Sequence, residues 1–273
     1  PVATGVIDAH AGGIGTVGAD GAPESCLAYV FGTSSCTMTT TRTPVFVPGV
    51  WGPYFSAMVP GMWLTEGGQS ATGALIDHVA RGVPIAKLNA RLVALAARVE
   101  WPALLAKDVH VLPDHHGNRS PRADPTLRGM ISGLTLEEDE DTHAIEYLAT
   151  VQAIAHGARH VIDAMRAAGH VIESIAMCGG DTKNPLFVRE HADVTGCRIV
   201  LPKEPEAVML GAAILGRVAS GDSPSVADAM AAMCHAGSIV EPAGGAVAAY
   251  HDKKHRVFLR MHDDQIAYRE LMR

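Results

Sequence analysis

The sequence predicts an α/β domain in which short buried strands alternate with helices. Three observations predict this class: a strand–turn–helix–strand–helix pattern over residues 174–216, two β-prone runs over residues 26–41, and a long amphipathic helix from residue 145 onward. Strands and helices that alternate in this way pack as layers around a shared core. Because 48% of the 273 residues are hydrophobic, the chain can bury a sizeable core.

The first element predicted is a short apolar strand that ends at Asp8. A carboxylate at a strand end, beside small residues, has room for a substrate and could accept a proton from it. The alternative is an N-cap for the helix that follows, a common role of aspartate. Gly13, Gly15 and Gly18 match the spacing of a dinucleotide fingerprint, but that motif directly follows a strand. Close helix packing is therefore the preferred interpretation of these glycines, and a NAD-dependent enzyme is set aside.

Residues 26–41, CLAYVFGTSSCTMTTT, predict a hairpin whose turn is Gly32, Thr33, Ser34 and Ser35. Such a turn places backbone N–H groups and hydroxyls in one concave surface, which suits phosphate oxygens. The alternative is an ordinary polar turn.

Helices are predicted over residues 67–80 and 84–99, and the first is opened by the glycines of TEGGQSATG. Glu66 and Gln69 lie at this start and could hydrogen-bond the hydroxyls of a sugar. Favourable electrostatics at a helix N-terminus would explain Glu66 equally well.

Residues 101–134 predict an irregular region with short strands near its two ends. Long loops in compact domains are often functional, and Arg119 lies on this one. Arg119 could steady phosphate charge or could pair with Asp124. Thr135 to Glu138 fits a capping box for the long helix, which Gly169 should end.

The segment 174–216 begins with a buried strand that runs directly into Gly179 and Gly180. Asn184 predicts the N-cap of the next helix, with Pro185 at its first position. The two strands joined by this helix should be parallel, and ligands bind outside the carboxyl ends of such strands. The Gly-Gly turn is therefore a candidate ligand site, and a simple tight turn is the alternative. Two more helices are expected, over residues 225–234 and 246–272.

Composition excludes several classes of function. A formal net charge of −7 argues against a nucleic-acid partner, and no apolar run reaches the length of a membrane span. The five cysteines lack Cys-x-x-Cys spacing, which favours reduced thiols and a cytoplasmic protein. The fourteen histidines are scattered along the sequence, so no metal site made of protein ligands is expected.

The chain resembles the C-terminal domain of the FGGY carbohydrate kinases, most closely the D-ribulokinase-like pentulose kinases. The resemblance covers nearly all of residues 1–273 and implies an actin-like, ribonuclease-H-like ATPase domain. The motifs that carry it, in chain order, are GVIDAHAG, FGTSSC, VPGMWLTEGGQSATG, HGNRSP and GGDTKNPLF…EAVMLGAAILG.

The resemblance implies a role for each motif. Asp8 would be the catalytic base, and Gly32, Thr33 and Ser34 would bind phosphate. The nucleotide would be held by Gly179, Gly180 and Asn184.

The implied activity is phosphorylation of a terminal hydroxyl of a ketopentose such as D-ribulose, with ATP and Mg²⁺. L-Ribulose, ribitol, xylulose and glycerol are alternative substrates. A non-catalytic, actin-like nucleotide-binding module is an alternative from another class. The family's N-terminal domain, with its Asp-x-Gly-Thr hairpin, finds no match in these residues. We therefore expect it as a partner domain and expect these 273 residues alone to be inactive. No membrane partner is expected, and a homodimer is left open.

Overall fold

A mixed β-sheet with helices on both faces organises the part of the chain that the structure, a computed structural model, describes: residues 2–20 and 23–273. The strands are Cys26–Phe31 (β1), Ser35–Thr41 (β2), Trp51–Phe55 (β3), Trp63–Gln69 (β4), His110–Leu112 (β5), Met130–Ser132 (β6), Ser174–Gly179 (β7), Arg198–Pro202 (β8) and Ala236–Val240 (β9). The α-helices are Asp8–Val17 (α1), Gly73–Ala80 (α2), Ile85–Ala96 (α3), Glu140–Ala167 (α4), Pro185–Thr195 (α5), Ala207–Ser220 (α6), Val226–Met233 (α7) and Gly245–Leu271 (α8).

The strand order of the main sheet is β3-β4-β2-β1-β7-β8-β9. Strands β1, β7 and β8 are parallel, whereas the β1–β2, β2–β4, β3–β4 and β8–β9 pairs are antiparallel. The predicted hairpin is confirmed, because Phe31 pairs with Ser35 and leaves Gly32, Thr33 and Ser34 as the turn.

Side chains of β1 alternate between two cores, one on each face of the sheet. Leu27, Tyr29 and Phe31 lie in the core formed with α2 to α5, and α4 is its central helix. Cys26 and Ala28 lie in the smaller core formed with α1, α6 and α7. This alternation follows from the two-residue repeat of a strand.

Helices α1 and α6 pack with their backbones in contact. A Cβ on Gly15 would lie only 2.2 Å from the carbonyl oxygen of Ala207. Only glycine permits such an approach, so close helix packing is confirmed as the reason for this part of the glycine pattern.

The strand–helix–strand prediction for residues 174–216 is confirmed. Strands β7 and β8 are parallel, and the side chain of Asn184 accepts a hydrogen bond from the N–H of Leu186 as the N-cap of α5. Gly196 ends α5 in the left-handed conformation. The helices predicted over residues 84–99, 225–234 and 246–272 correspond to α3, α7 and α8.

Three local predictions were wrong, and the first is the strand before Asp8. Residues 2–7 form no strand, and Asp8 is instead the first residue of α1. The apolar side chains of Val2 and Ile7 remain 96% and 61% exposed, so the run is not buried as a core strand would be.

The helix predicted from residue 67 begins only at Gly73, because residues 67–69 belong to β4. Gly67 pairs with Thr37 of β2, and a Cβ on it would lie 2.7 Å from the side chain of Val161. A small residue is therefore needed where β4 passes under α4.

The capping box at Thr135 is also wrong. The N-cap of α4 is Asp139, whose carboxylate accepts a hydrogen bond from the N–H of Thr142 at 2.8 Å. The hydroxyl of Thr135 accepts the N–H of Glu137 in a local turn instead.

Helix α8 packs against α4 through buried histidines that are far apart in the sequence. The Nδ1 atoms of His156 and His255 are 3.3 Å apart, and His251 is fully buried beside them. Among the helices of the described residues, none is long and apolar enough to span a membrane.

Candidate active site

Two turns lie side by side at the carboxyl ends of β1 and β7. Phe31, the last residue of β1, pairs with Gly179, the last residue of β7. A Cβ on Gly179 would lie 2.1 Å from the carbonyl oxygen of Phe31, and its φ is +114°, so glycine is required here. The predicted phosphate turn and the predicted nucleotide turn therefore start from neighbouring positions.

The N-terminus of α2 holds the first turn in place. The N–H groups of Thr72 and Ala74 donate to the carbonyl oxygen of Thr33 at 3.0 and 3.2 Å. The N–H of Gly73 donates to the carbonyl oxygen of Gly32 at 3.2 Å. The turn is thus anchored through its carbonyls, while the side chain of Thr33 stays exposed.

Gly180 opens the second turn and faces solvent. No atom lies within 4 Å of a Cβ placed on it, so the space beside this backbone is open to a ligand.

The sequence analysis missed the next residue, Asp181, whose carboxylate lies 3.7 Å from the Cβ position of Gly73. Burial, and then the charge of Asp77, raise the pKa of Asp181. Its place directly after the Gly-Gly pair was the available signal.

Asn184 connects three helices through its side-chain amide. Its Oδ1 accepts hydrogen bonds from the N–H of Leu186 at 3.2 Å and from Nδ2 of Asn89 at 3.0 Å. Its Nδ2 donates to the hydroxyl of Tyr147 at 2.7 Å. Asn184 therefore fixes the segment after Gly180 to α3 and α4.

Asp8 is an exposed carboxylate on the first residue of α1. Its Oδ1 accepts a hydrogen bond from the N–H of Ala9 at 2.7 Å. The N-cap residue is Ile7, without a side-chain cap, so the N-cap interpretation of Asp8 is wrong. The carboxylate is otherwise exposed to solvent at the helix N-terminus, where negative charge is favourable.

Glu66 contacts the same helix from β4. Its Oε2 lies 2.9 Å from Nε2 of His10, and both side chains are largely buried. The thiol of Cys36 lies 4.0 Å from Nη1 of Arg119, and the charges of Glu66, Arg119 and Asp8 all act on its pKa. Burial, and then Glu66, raise the pKa of Cys36 to about 11. Asp8, Glu66 and Arg119 thus share one neighbourhood at the start of β2.

Arg119 reaches this neighbourhood from the loop before β6. Its Nη1 donates to the carbonyl oxygen of Ser35 at 3.4 Å, and its guanidinium lies 5.6 Å from the centre of the Trp51 ring. The alternative pairing with Asp124 is wrong, because Asp124 binds Arg269 at 3.0 Å.

The structure does not bring Gln69 to the same place as Glu66. Three residues further along β4, Gln69 faces α4, and its Nε2 donates to the hydroxyl of Tyr29 and the carbonyl oxygen of Ile154, both at 2.9 Å. Its amide is therefore used inside the fold.

No group of three histidine, cysteine, aspartate or glutamate side chains that could hold a metal occurs in residues 2–20 and 23–273. This does not conflict with Mg²⁺, which proteins commonly bind through one or two carboxylates together with substrate phosphates. The half-buried carboxylate of Asp181, beside the Gly32 turn, fits such a role.

Comparison with known families gives a match over most of the chain. Residues 27–220 match the C-terminal domain of the FGGY family of carbohydrate kinases. The chain belongs to this family. Residues 27–220 include the phosphate turn, Glu66, Arg119 and the Gly-Gly turn.

Curated relatives extend the match towards both ends. A human FGGY carbohydrate kinase domain-containing protein is 51% identical over 99% of this chain and 54% of its own length. A D-ribulokinase of Saccharomyces cerevisiae is 36% identical over 81% of this chain and 36% of its own length. The chain therefore spans about half, or less, of the length of the curated relatives that it matches.

Solved structures of FGGY kinases have the same fold. A xylulose kinase from Rhodospirillum rubrum matches 96% of this chain with a TM-score of 0.75 at 23% identity. A Plasmodium falciparum glycerol kinase solved with ADP matches 96% of this chain with a TM-score of 0.70 at 18% identity. The predicted α/β class is thus confirmed, and the fold is that of the actin-like ATPases.

Proposed function

We propose that this chain is the C-terminal domain of an ATP-dependent sugar kinase that phosphorylates a terminal hydroxyl of a ketopentose such as D-ribulose. The observation that carries the proposal is that the anchored turn Gly32–Ser34 and the open backbone of Gly180 start from paired strand ends. The exposed carboxylate of Asp8, at the first residue of α1, supports it. The similarity to a yeast D-ribulokinase favours this sugar over L-ribulose, ribitol, xylulose and glycerol.

Asp8 accepts the proton of the sugar hydroxyl as its oxygen attacks the γ-phosphorus of ATP. The bond between that phosphorus and the β–γ bridging oxygen breaks, and ADP leaves. The backbone and hydroxyls of Gly32, Thr33 and Ser34 bind the transferred phosphoryl group. A carboxylate at an exposed helix N-terminus suits the base, because a substrate can reach it from solvent.

Three other groups orient the reactants in this proposal. Glu66 accepts a hydrogen bond from a sugar hydroxyl, and Arg119 adds positive charge beside the turn. Gly179, Gly180 and Asn184 hold the nucleotide through the open backbone and the helix that follows it. Gln69 supports the sheet beneath the site and does not contact the sugar.

Mg²⁺, when bound, neutralises charge on the phosphates. Asp181 would hold it, with Asp77 nearby, and the phosphate oxygens would complete its ligands. A cation at this point would compensate the burial of the Asp181 carboxylate.

The other half of the cleft comes, we propose, from an N-terminal domain like the one that completes the longer relatives. It would supply further phosphate contacts and much of the sugar site, and its closure would exclude water from the γ-phosphate. The 273 residues alone would then bind nucleotide without appreciable turnover. We place the enzyme in the cytoplasm, where its free thiols would stay reduced.

The test is Asp8→Asn in the full-length enzyme that contains this chain, assayed with D-ribulose, L-ribulose, ribitol, xylulose and glycerol. We expect kcat on the best substrate to fall by roughly 10²- to 10⁴-fold, the usual contribution of a general base. ADP affinity should be unchanged, because Asp8 faces the hydroxyl. Asp228→Asn, at an exposed position in the first turn of α7, is the matched control and should keep full activity. Near-normal turnover by Asp8→Asn would reject the base. A wild-type enzyme that binds ADP but phosphorylates none of the five would instead favour the non-catalytic module.

A further inference from the structure

His10 and Glu66 form the one long-range hydrogen bond that the described structure shows between the side chains of α1 and β4. Nε2 of His10 lies 2.9 Å from Oε2 of Glu66, and the two residues are 56 positions apart. The side chains are only 7% and 13% exposed. A carboxylate with so little contact with water needs a hydrogen-bond donor, and the imidazole is placed to supply it.

The position of this pair distinguishes it from an ordinary structural contact. His10 is two residues after Asp8, in the first turn of α1. Glu66 pairs with Met38 of β2 and with Trp51 of β3, so its backbone is fixed by strands on both sides. The pair therefore holds the carboxylate of Glu66 in a defined orientation against the helix turn that begins at Asp8.

The rest of the core offers no reason for a buried polar pair here. Around it, α1 packs on the sheet through apolar side chains such as Ile14 and Met38. Replacing buried ion pairs with well-packed apolar residues is often neutral or stabilising, so stability alone does not explain the pair. Placement of a carboxylate for a ligand does explain it.

We propose that His10 is a positioning residue that holds Oε2 of Glu66, so that Oε1 faces the cleft as the acceptor for a sugar hydroxyl. This inference rests on the proposed function. It assigns His10 no contact with the reacting atoms and no proton transfer. Its effect is to fix which sugar hydroxyl can lie against Glu66 while the terminal hydroxyl lies against Asp8.

Loss of His10 should therefore act on the sugar and leave the nucleotide unaffected. Without its donor, the carboxylate of Glu66 can rotate or take up water, and the sugar loses a preset partner. We expect His10→Leu to lower kcat/KM for the best sugar by about 10- to 100-fold, since a misplaced hydrogen-bonding group in a buried site costs this order of rate. Most of this loss should appear in the KM for the sugar, and the KM for ATP should not change.

The experiment uses the full-length enzyme with His10→Leu, His10→Gln, Glu66→Gln and the double variant His10→Leu/Glu66→Gln. Glutamine can donate from its amide, so His10→Gln should recover most of the sugar affinity. The kcat/KM of the double variant for the sugar should be no lower than that of the less active single variant, because both substitutions remove the same His10–Glu66 hydrogen bond. ADP affinity and melting temperature, measured on every variant, report on the fold.

Three results would overturn the inference. One is a parallel loss of sugar kinetics, ADP affinity and melting temperature in His10→Leu, which indicates a structural role. Another is additive losses in the double variant. The third is full activity of His10→Leu in an enzyme that Asp8→Asn inactivates; this rejects the positioning role and leaves the proposed kinase intact. A wild-type enzyme without sugar kinase activity would reject both.

Discussion

Gly211 of α6 lies against Ala11 of α1, so close that a Cβ on Gly211 would lie 1.9 Å from the carbonyl oxygen of Ala11. Together with the approach of Gly15 to Ala207, this makes the α1–α6 contact reciprocal, each helix presenting a glycine to the backbone of the other. Helix α1 carries Asp8 and His10. The distance of these residues from the sheet is therefore set in part by the glycine contacts between the two helices.

The first prediction concerns this contact. Gly211→Ala should lower the free energy of unfolding by about 1–3 kcal/mol, because the added methyl group meets backbone that cannot rotate away. Gly216→Ala is the matched control on the same helix, since no atom lies within 4 Å of its Cβ position. It should raise the free energy of unfolding by about 0.5–1 kcal/mol through helix propensity. Urea unfolding measures both, and equal effects at the two positions would contradict the backbone contact.

The second prediction concerns the nucleotide. Gly180→Val should weaken ADP binding by at least about tenfold, or about 1.4 kcal/mol, because its side chain would fill the space beside the backbone. The fold should survive, since this position is open. Gly179 is unsuitable for the test, because its φ of +114° and its contact with Phe31 would disturb the sheet itself.

Calorimetry with ADP on the folded variant gives the answer, with Gly216→Ala as the control that should bind normally. Unchanged ADP affinity in Gly180→Val would remove the Gly-Gly turn from the nucleotide site.

The third prediction concerns the dependence of the free energy of unfolding on pH. Burial lowers the pKa of His251 and of His255 to about 4, and lowers that of His156. In the unfolded chain these imidazoles have pKa values near about 6.5 and take up protons first. The free energy of unfolding should therefore fall as the pH falls from about 6.5 towards 4, by up to about 1.4 kcal/mol per pH unit for each histidine. Glu190, whose pKa burial raises to about 8, has the opposite sign and loses stabilisation as the pH rises towards 8.

Urea unfolding at pH 7, 6 and 5 tests this dependence. His251→Leu should reduce the slope of the free energy of unfolding against pH by the equivalent of up to one bound proton, whatever its effect on stability at pH 7. If His251→Leu leaves the pH dependence of the free energy of unfolding unchanged, His251 is hydrated in solution and its pKa is not lowered by burial.

Sequence reasoning succeeded where short-range chemistry decides the structure. Asn184 followed by Pro185 defines a helix start by itself, and Gly196 defines its end. The hairpin around Gly32 and the parallel pair β7–β8 likewise follow from strand length and connection. The edge of the sheet where the candidate site lies could be predicted for the same reason.

Sequence reasoning failed where contacts with distant parts of the chain determine the local structure. Gly67 lies in a strand because it pairs with Thr37 of β2, and it must be small because Val161 of α4 passes over it, a contact across 94 positions that no local pattern records. Gln69 lies close to Glu66 in the sequence, but the strand that contains them turns their side chains to opposite faces. The pairing of His10 with Glu66 depends on the same long-range register and was missed with it.

The surface beside the turns at Gly32–Ser34 and at Gly179 and Gly180 is built from segments that come together only when the whole sheet has formed. Asp8, Thr33, Glu66, Arg119 and Gly180 come from elements that span most of the chain, and β1 lies beside β7 although about 140 residues separate them. A ligand that contacts several of these segments binds only the folded chain and therefore stabilises it against unfolding. If nucleotide binds there as proposed, each occupied molecule is withdrawn from the population that can unfold, so nucleotide supply would slow proteolysis of the protein.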